Sequence, residues 1–437
     1  MTMSVPLGTL FGQSAPQPDA DIASFERELI EFRWYGRKTL AEQTPSEVEG
    51  RTLSVNTFVN EFWTSRQRAA HSLHEVSYRA CFKPQLPRFF IERLTRPGDR
   101  VYDPFMGRGT TLLEAALLSR VPVGCDVNPL SRVLVKPRLV PPTLDAIRQR
   151  LSEIEWVFRG EIPDELLAFY HSDTLRELCA LKRYFRDRLH AEKMDDVDDW
   201  IRMVAVNRLT GHSPGFFSVY TLPPNQAVSL ARQVKINADR KQIPPRREVP
   251  KLILTKSRSL LKDCQERTRQ SMADVSVGRQ LVTSGAEYTP QIESESIRLV
   301  VTSPPFLDVV DYAGDNWLRC WFCDIEPAEV ALTVVKKIED WRTAMTAVFR
   351  ELERVLTPGG HVAFEVGEVR GGRVRLEEHV LPCGVAAGLD PSLVLINSQE
   401  FTKTAAVWGV QNNRKGTNTN RIVLFRKPGP GRESAAR

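Results

Sequence analysis

The stretch that decides the fold is Arg100-Val101-Tyr102-Asp103-Pro104-Phe105-Met106-Gly107-Arg108-Gly109-Thr110-Thr111. Its first three residues predict a short strand, its glycines a turn, and the apolar spacing from Thr110 to Ser119 a helix. A second strand is predicted over Val121–Cys125. Strand, glycine turn, helix and strand form a βαβ unit, which opens a doubly wound α/β sheet.

The same turn predicts a bound ligand. Gly107 and Gly109 let the backbone approach a ligand without a Cβ clash, and the helix that begins at Thr110 offers N–H groups to a carboxylate. Asp103, at the end of the strand, can accept hydrogen bonds from an ammonium. A ligand with both groups is an amino acid, and Asp126 is placed to bind the two hydroxyls of a ribose. The methionine and nucleoside parts of S-adenosylmethionine match this pattern.

A nicotinamide dinucleotide is the alternative ligand for such a turn. Its fingerprint needs three glycines, with the first at the start of the turn. Here the turn begins with Asp-Pro-Phe and has only Gly107 and Gly109. The carboxylate of Asp103 would also repel a pyrophosphate, so the sequence disfavours a dinucleotide.

The second chemical signal is Thr302-Ser303-Pro304-Pro305-Phe306, directly after an apolar strand predicted over Arg298–Thr302. Two prolines make this corner rigid. The hydroxyl of Ser303 and the carbonyl of Pro304 can accept the N–H groups of an aryl amine, and Phe306 can stack on a base. Direct attack of that amine on a sulfonium methyl then needs mainly alignment. An amine inside a duplex must first be exposed by base flipping.

Together these two turns resemble the motifs of the DNA amino-methyltransferases, which modify adenine N6 or cytosine N4. Asp103–Thr111 is similar to their cofactor motif and Ser303–Phe306 to their catalytic motif. Tyr78–Pro87 looks like the family's segment that closes over the methionine part of the cofactor. The likeness covers roughly 78–130 and 280–427. It implies a Rossmann-like class I methyltransferase fold, with a seven-stranded mixed sheet and helices on both faces.

The resemblance also implies a substrate and a set of site residues. A motif that begins with Ser, here Ser303, is generally that of a cytosine N4 enzyme, acting on double-stranded DNA beside a companion restriction endonuclease. Adenine N6 in DNA and a base amine in RNA stay open as alternatives. The expected residues are Ser303, Pro304, Pro305 and Phe306 for catalysis, Tyr78, Asp103, Phe105, Gly107, Gly109, Thr110 and Asp126 for S-adenosylmethionine, and Asp311 and Tyr312 for the base pocket, with no metal. One departure concerns the strand before the catalytic one, which offers only Glu287 as an acidic residue near the cofactor adenine.

Changes in patterning along the chain predict five parts. Ile22, Phe25, Leu29 and Phe32 follow a helical spacing, and the region 140–275 is mostly helical, with a basic stretch over Arg232–Lys262. The expected parts are an N-terminal helical extension (1–75), a cofactor-binding part (76–140), a helical insertion and candidate target-recognition region (141–278), a catalytic part (279–428) and a disordered tail (429–437).

Composition sets the broad class. The chain has 437 residues, 42% of them apolar, which suffices for a full core. It has no apolar run of the roughly 20 residues that a membrane helix needs, and its N-terminus lacks the pattern of a secretory signal. A cytoplasmic protein without a membrane partner is expected. A net charge of +6 fits a polyanionic partner.

Other readings of the sequence are weaker. Cys320 and Cys323 form the one close cysteine pair, and a zinc site usually needs two such pairs or added histidines. Pro382-Cys383 could suggest a carbon-5 cytosine methyltransferase, but it follows the catalytic turn, whereas those enzymes place their cysteine first. A non-catalytic DNA-binding protein is the rival outside the enzymes. The intact Asp103, Asp126 and Ser303 argue against it.

Overall fold

The structure is a computed structural model, and it describes residues 22–48, 50–64, 70–78, 81–222, 228–305, 312–326, 337–369, 374–398 and 419–429. These residues form thirteen strands and thirteen α-helices. The strands are β1 (Arg33–Trp34), β2 (Arg37–Lys38), β3 (Leu40–Val48), β4 (Arg51–Asn60), β5 (Arg100–Asp103), β6 (Val121–Asp126), β7 (Gln280–Thr283), β8 (Ile297–Thr302), β9 (Leu356–Val366), β10 (Glu368–Val369), β11 (Val374–Arg375), β12 (Asp390–Ser398) and β13 (Thr419–Arg426). The helices are α1 (Ile22–Glu31), α2 (Gln85–Leu94), α3 (Thr110–Leu117), α4 (Pro129–Leu139), α5 (Leu144–Glu153), α6 (Ser172–His190), α7 (Asp196–Val206), α8 (Leu230–Arg240), α9 (Val249–Leu260), α10 (Glu266–Ser276), α11 (Tyr312–Cys323), α12 (Ile338–Val355) and α13 (Leu376–Ala386).

Nine of these strands form one mixed sheet, in the order β3-β4-β12-β13-β9-β8-β5-β6-β7. The run from β7 to β9 is parallel, and β13 lies antiparallel between β9 and β12. From β5 the chain continues to β6, which lies on one side of β5 in the sheet, whereas β8 lies on the other side of β5. Such a reversal opens a crevice at the carboxyl ends of the strands. The α/β fold with a Rossmann-like class I methyltransferase sheet is therefore confirmed.

The N-terminal region differs from the helical extension expected over 1–75. Helix α1 does follow the predicted spacing and buries Phe25 and Leu29. Strands β3 and β4, however, form an antiparallel hairpin, and β4 pairs in parallel with β12. The reason is a period of two in β4, in which Val55 and Thr57 are buried and Ser54 and Asn56 are exposed. The helical expectation for this part was wrong, and the hairpin extends the implied seven strands to nine.

Helices cover most of residues 144–276, and they pack directly on the cofactor-binding part. Leu112 of α3 and Leu134 of α4 share a buried cluster with Ile201 of α7 and Ile253 of α9. The helical insertion therefore continues the core of the βαβ unit and is not separated from it by a linker.

The two faces of the sheet bury different clusters, because neighbouring residues in a strand point to opposite sides. Val300 of β8 packs with Phe349 of α12, whereas Leu299 and Val301 pack with Phe90 of α2. Helices therefore cover the central strands on both faces, and the carboxyl edge of those strands carries the two predicted turns.

Several other expectations concern the second half of the chain. Cys320 and Cys323 are buried on α11. Cys383 lies inside α13, where its thiol contacts the carbonyls of Arg342 and His379. Strand β12 was not predicted from the sequence, and the tail predicted over 429–437 lies, beyond residue 429, outside the described residues. In the part of the chain that the structure describes, no helix is both long and apolar enough to cross a membrane.

Candidate active site

The two predicted turns meet at the carboxyl edge of the sheet, because β5 and β8 are adjacent parallel strands. Oγ1 of Thr302 donates a hydrogen bond of 2.6 Å to Oδ1 of Asp103. Oγ1 of Thr111, in the helix after the glycine turn, donates to the carbonyl of Val301 at 2.9 Å. Two hydrogen bonds thus tie the glycine turn and the start of α3 to the end of β8, where the Pro-Pro turn begins.

Asp103 is almost wholly buried, with 1% of its surface exposed. Besides the hydroxyl of Thr302, its Oδ1 accepts the backbone N–H of Phe105 at 3.1 Å. Burial raises the pKa of Asp103 to about 7, although these hydrogen bonds oppose the rise. A buried carboxylate of this kind favours a cation beside it.

The glycine turn has a backbone that only glycine adopts easily. Gly107 and Gly109 have φ values of +48° and +73°. A Cβ on Gly109 would lie 2.5 Å from Cγ2 of Val135 in α4, so this glycine also allows close packing. Gly109 is the N-cap of α3 and provides no side-chain cap. The first N–H groups of the helix, starting at Thr110, are therefore available to an anion.

Asp126, at the end of β6, holds the glycine turn against the sheet. Its Oδ2 accepts the N–H of Gly107 and its Oδ1 accepts the N–H of Asn128, both at 2.8 Å. Each carboxylate oxygen has a second lone pair, to which a ribose hydroxyl could donate a hydrogen bond. Burial raises the pKa of Asp126 above its usual range. Glu287, in contrast, is exposed in the loop after β7.

Tyr78 lies over the glycine turn. A Cβ on Gly107 would be 3.5 Å from Cε1 of Tyr78. The hydroxyl of Tyr78 accepts a hydrogen bond of 3.4 Å from Nδ2 of Asn128. From the other side, the guanidinium of Arg319 in α11 lies 5.7 Å from the centre of the Tyr78 ring. Tyr78 thus lies between the predicted cofactor turn and the helix that follows the catalytic turn.

The Pro-Pro turn, which is predicted to be catalytic, is described as far as Pro305. Pro304 is buried and Ser303 is half-buried, and the carbonyl of Pro305 accepts a hydrogen bond of 3.1 Å from Nε1 of Trp341. Because Trp341 occupies that carbonyl, the carbonyl of Pro304 is the better candidate for a substrate N–H. Phe306 and Asp311, predicted for catalysis and the base pocket, lie outside the described residues. Tyr312 begins α11, but its side chain lies outside them as well.

Glu365 belongs to this edge and was missed in the sequence analysis. The β8–β9 register pairs Thr302 with Phe364, so the next residues, Ser303 and Glu365, are neighbours. Burial raises the pKa of Glu365 to about 7, and the neighbouring side chains of Asn420 and Ser303 oppose the rise. Asn420 of β13 donates a hydrogen bond to Oε1 of Glu365. The available signal was one acidic residue at the carboxyl end of an otherwise apolar strand.

The fold and this site define a class I methyltransferase that uses S-adenosylmethionine. Residues 27–131 match the N6/N4 methyltransferase family, described as DNA methylase. Curated relatives with significant similarity are type II methyltransferases. Over these matched regions the chain is similar to the DNA amino-methyltransferases of the N4/N6 family.

The relatives differ in how much of the chain they match. Type II methyltransferase M.BsoBI of Geobacillus stearothermophilus is 22% identical over 400 residues, 80% of this chain and 74% of the relative. Type II methyltransferase M.MvaI of Kocuria varians is 31% identical over 119 residues, 26% of this chain and 25% of the relative. Two solved methyltransferases align over most of the chain at low similarity. They are the rRNA methyltransferase aviRa of Streptomyces viridochromogenes (13% identity, 84% of this chain, 94% of that chain, TM-score 0.35) and TrmN of Thermus thermophilus (12% identity, 83% of this chain, 52% of that chain, TM-score 0.32).

Proposed function

We propose that this enzyme transfers a methyl group to the exocyclic N4 amine of cytosine in double-stranded DNA, at a specific sequence, as the modification enzyme of a restriction–modification system. The observation that carries the proposal is the hydrogen bond between Asp103 and Thr302. It joins the turn suited to an amino-acid ligand to the turn suited to an aryl amine. The names of the relatives, all type II methyltransferases, support the restriction–modification setting.

S-adenosylmethionine supplies, when bound, a methyl group on a positively charged sulfur. In our proposal Asp103 binds its ammonium, the N-terminus of α3 at Thr110 binds its carboxylate, and Asp126 binds its ribose. Phe105 and Tyr78 enclose the ligand and exclude water. The residues fit because Asp103 is a buried carboxylate with a raised pKa, and a cationic neighbour would restore its ionised form.

The amine of the flipped cytosine would lie between the carbonyl of Pro304 and the hydroxyl of Ser303. When Glu365 is ionised, it accepts the hydroxyl hydrogen of Ser303, so the oxygen of Ser303 is free to accept an N–H of the base. Transfer of the methyl group would break its bond to sulfur and leave that sulfur neutral, while the nitrogen would become positively charged and would have to lose a proton. Ser303 and Glu365 provide a path for that proton, since the pKa of Glu365 is about 7.

We assign recognition of the DNA sequence to the helical insertion, because this region borders the site. Oδ1 of Asn207, at the end of α7, accepts the N–H of Ser77, next to Tyr78. The loop that follows leads to Tyr220, whose ring stacks under the guanidinium of Arg240 at 3.9 Å. Helix α8, which ends at Arg240, also exposes Arg232 and Lys235. These cations suit DNA phosphates.

Part of the basic stretch is less suited to DNA. Arg246 forms ion pairs with Asp173 and Glu177, and Lys251 pairs with Glu248. The proposal therefore concerns α8 rather than the whole stretch.

Analysis of nucleosides tests the chemistry. Unmethylated genomic DNA is incubated with the enzyme and S-adenosylmethionine, digested, and analysed by liquid chromatography with mass spectrometry against standards of N4-methylcytosine, 5-methylcytosine and N6-methyladenine. We expect N4-methylcytosine, with partial loss for Ser303→Ala and severe loss for Asp103→Ala. N6-methyladenine would refute the assignment of the base. Methylation of RNA but not of DNA would refute the assignment of the substrate.

Charge reversal tests the role of α8. Arg232→Glu and Lys235→Glu should each weaken binding to duplex DNA. Each should also reduce the magnitude of the slope of log K, the association constant, against log salt concentration by about 1. Arg350→Glu, on the exposed face of α12 across the sheet, is the matched control. Equal effects of all three substitutions would show that α8 has no special contact with DNA.

A further inference from the structure

One segment that has no role in the catalytic proposal crosses the glycine turn and ends at Tyr78. We call residues 71–78 the strap. It begins with a short 3₁₀ turn over Ser72–His74. It ends over the glycine turn, where the ring of Tyr78 lies beside Gly107. The strap has little regular structure to hold it, so its position depends on its neighbours.

Two buried arginines hold the strap from below. Arg108, inside the glycine turn, is 6% exposed, and Arg138 of α4 is 1% exposed. Arg108 donates from its NH1 group to the carbonyl of Val76 at 3.0 Å. Arg138 donates from its NH1 group to the carbonyl of Leu73 at 3.2 Å. Both guanidinium groups therefore bind backbone carbonyls of the strap.

The same two side chains also tie the strap to the glycine turn. A second nitrogen of Arg138 donates to the carbonyl of Arg108. Nε of Arg108 donates to Oγ1 of Thr110 at 3.2 Å, and its NH2 group reaches the carbonyl of Phe82 at 3.5 Å. The contacts of Arg108 therefore lie on both sides of Tyr78 along the chain.

Burying two positively charged guanidinium groups costs free energy, so their position here indicates a specific role. Burial, together with the nearby charge of Arg108, lowers the pKa of Arg138 to about 9. Buried charges are normally paired with an opposite charge, yet the described partners of both groups are carbonyl and hydroxyl oxygens. Only a guanidinium supplies up to five donors in a rigid fork. Holding several carbonyls at fixed positions is a task that suits this fork and no other side chain.

The helical insertion holds the strap from the outside. The N–H of Ser77 donates to Oδ1 of Asn207 at 2.9 Å. Oγ of Ser72 donates to the carbonyl of Leu260 at 2.7 Å, and the N–H of Ser72 donates to Oδ2 of Asp263 at 3.0 Å. With Arg108 and Arg138 on the inside, the strap is fixed on both faces.

We propose that Arg108 and Arg138 are positioning residues, which hold the strap so that Tyr78 already covers the cofactor turn before S-adenosylmethionine binds. The inference rests on S-adenosylmethionine as the cofactor. The arginines act through Tyr78 and need not touch the ligand. Preorganisation of this kind lowers the cost of binding. Its loss should therefore weaken cofactor binding more than it slows methyl transfer at saturating cofactor.

Calorimetric titration of the full chain with S-adenosylmethionine tests the proposal. Arg108→Lys and Arg138→Lys keep the charge but remove the fork, and each should raise the Kd about tenfold, the equivalent of about 1.4 kcal/mol. The KM for S-adenosylmethionine should rise similarly, with kcat changed less than threefold. Arg120→Lys is the matched control, because Arg120 is 8% exposed and also binds carbonyl oxygens, but those of Leu118 and Thr95, which do not belong to the strap.

A cycle with Tyr78→Ala separates positioning from general destabilisation. In the Tyr78→Ala background, Arg108→Lys should change the Kd less than twofold, because the residue through which it acts is gone. A tenfold effect that persists in this background, or an equal effect of Arg120→Lys, would overturn the proposal. Wild-type enzyme that fails to bind S-adenosylmethionine in the same titration would instead refute the assignment of the cofactor.

Hydrogen exchange of the wild-type protein gives a test that needs no variant. The amides of Ser72 and Ser77 should be protected without cofactor, since both donate to described acceptors, and cofactor should slow their exchange less than twofold further. Fast exchange that becomes slow only when S-adenosylmethionine binds would show that the ligand, not the arginines, orders the strap.

Discussion

Cofactor binding should depend on pH in a way set by Asp103. This carboxyl has a pKa of about 7 in the protein without ligand, so about one tenth of it is ionised at pH 6 and about nine tenths at pH 8. The ammonium of S-adenosylmethionine, an α-amino group, has a pKa of roughly 7.7–8.0. Binding that needs both charges should be tightest near pH 7.4. The Kd should rise about fivefold at pH 6 and about tenfold at pH 9.

The assay is a calorimetric or fluorescence titration with S-adenosylmethionine across pH 6–9, in buffers matched for ionic strength. Asp103→Asn is the control, because it keeps the shape of the side chain but has no ionisable group. The variant should bind at least tenfold more weakly at pH 7.4. It should also lose the acid limb of the profile while keeping the alkaline limb, which belongs to the ligand.

The reasoning about Asp103 fails on either of two results. A wild-type Kd that is constant from pH 6 to 7.4 would mean that Asp103 is ionised throughout or does not face the ammonium. An acid limb that persists unchanged in Asp103→Asn would assign the titration to another group.

Three more predictions follow from the same edge of the sheet. Thr302→Val removes a hydrogen bond that favours ionised Asp103, so the acid limb of cofactor binding should move to higher pH by roughly half to one unit; a shift to lower pH would contradict this. Glu365→Gln should lower kcat about tenfold or more at pH 8 and raise the midpoint of thermal unfolding at that pH. The second effect arises because the pKa of Glu365 is raised from 4.5 to about 7 in the folded protein. The protonated carboxyl therefore contributes its full stability below pH 4.5, and this contribution is lost as the pH rises through 7. Variant and wild type should melt alike at pH 4. Gly109→Ala should destabilise the protein by about 2–4 kcal/mol in urea unfolding, because its Cβ meets Val135 at a φ of +73°, and Val135→Ala should partly restore the loss.

Much of the site could be predicted because its chemistry is local. The glycine turn carries Asp103, Gly107, Gly109 and Thr110 within eight residues, and strand, turn and helix follow from their spacing alone. The Ser-Pro-Pro turn is equally local. That both turns lie at one edge follows from the rule that parallel strands end on the same side.

The N-terminal hairpin shows why the remainder of the fold was harder. Aromatic and apolar residues from Phe25 to Trp63 fit helix and strand patterns alike over short windows. Residues 40–48 and 51–60 become strands because β12, more than 300 residues later, offers an edge to which β4 can pair. Propensity within the segment does not contain that information.

What the sequence by itself determined is the pair of motifs, the α/β class and the methyl donor, since each depends on residues that are neighbours along the chain. The tertiary structure decided the contacts between distant strands and helices. It places Glu365 beside Ser303, joins Thr302 to Asp103, and brings Arg138 under the strap. These contacts arise from strand order and helix packing, and both minimise exposed apolar surface over the whole chain. A local pattern therefore cannot specify them.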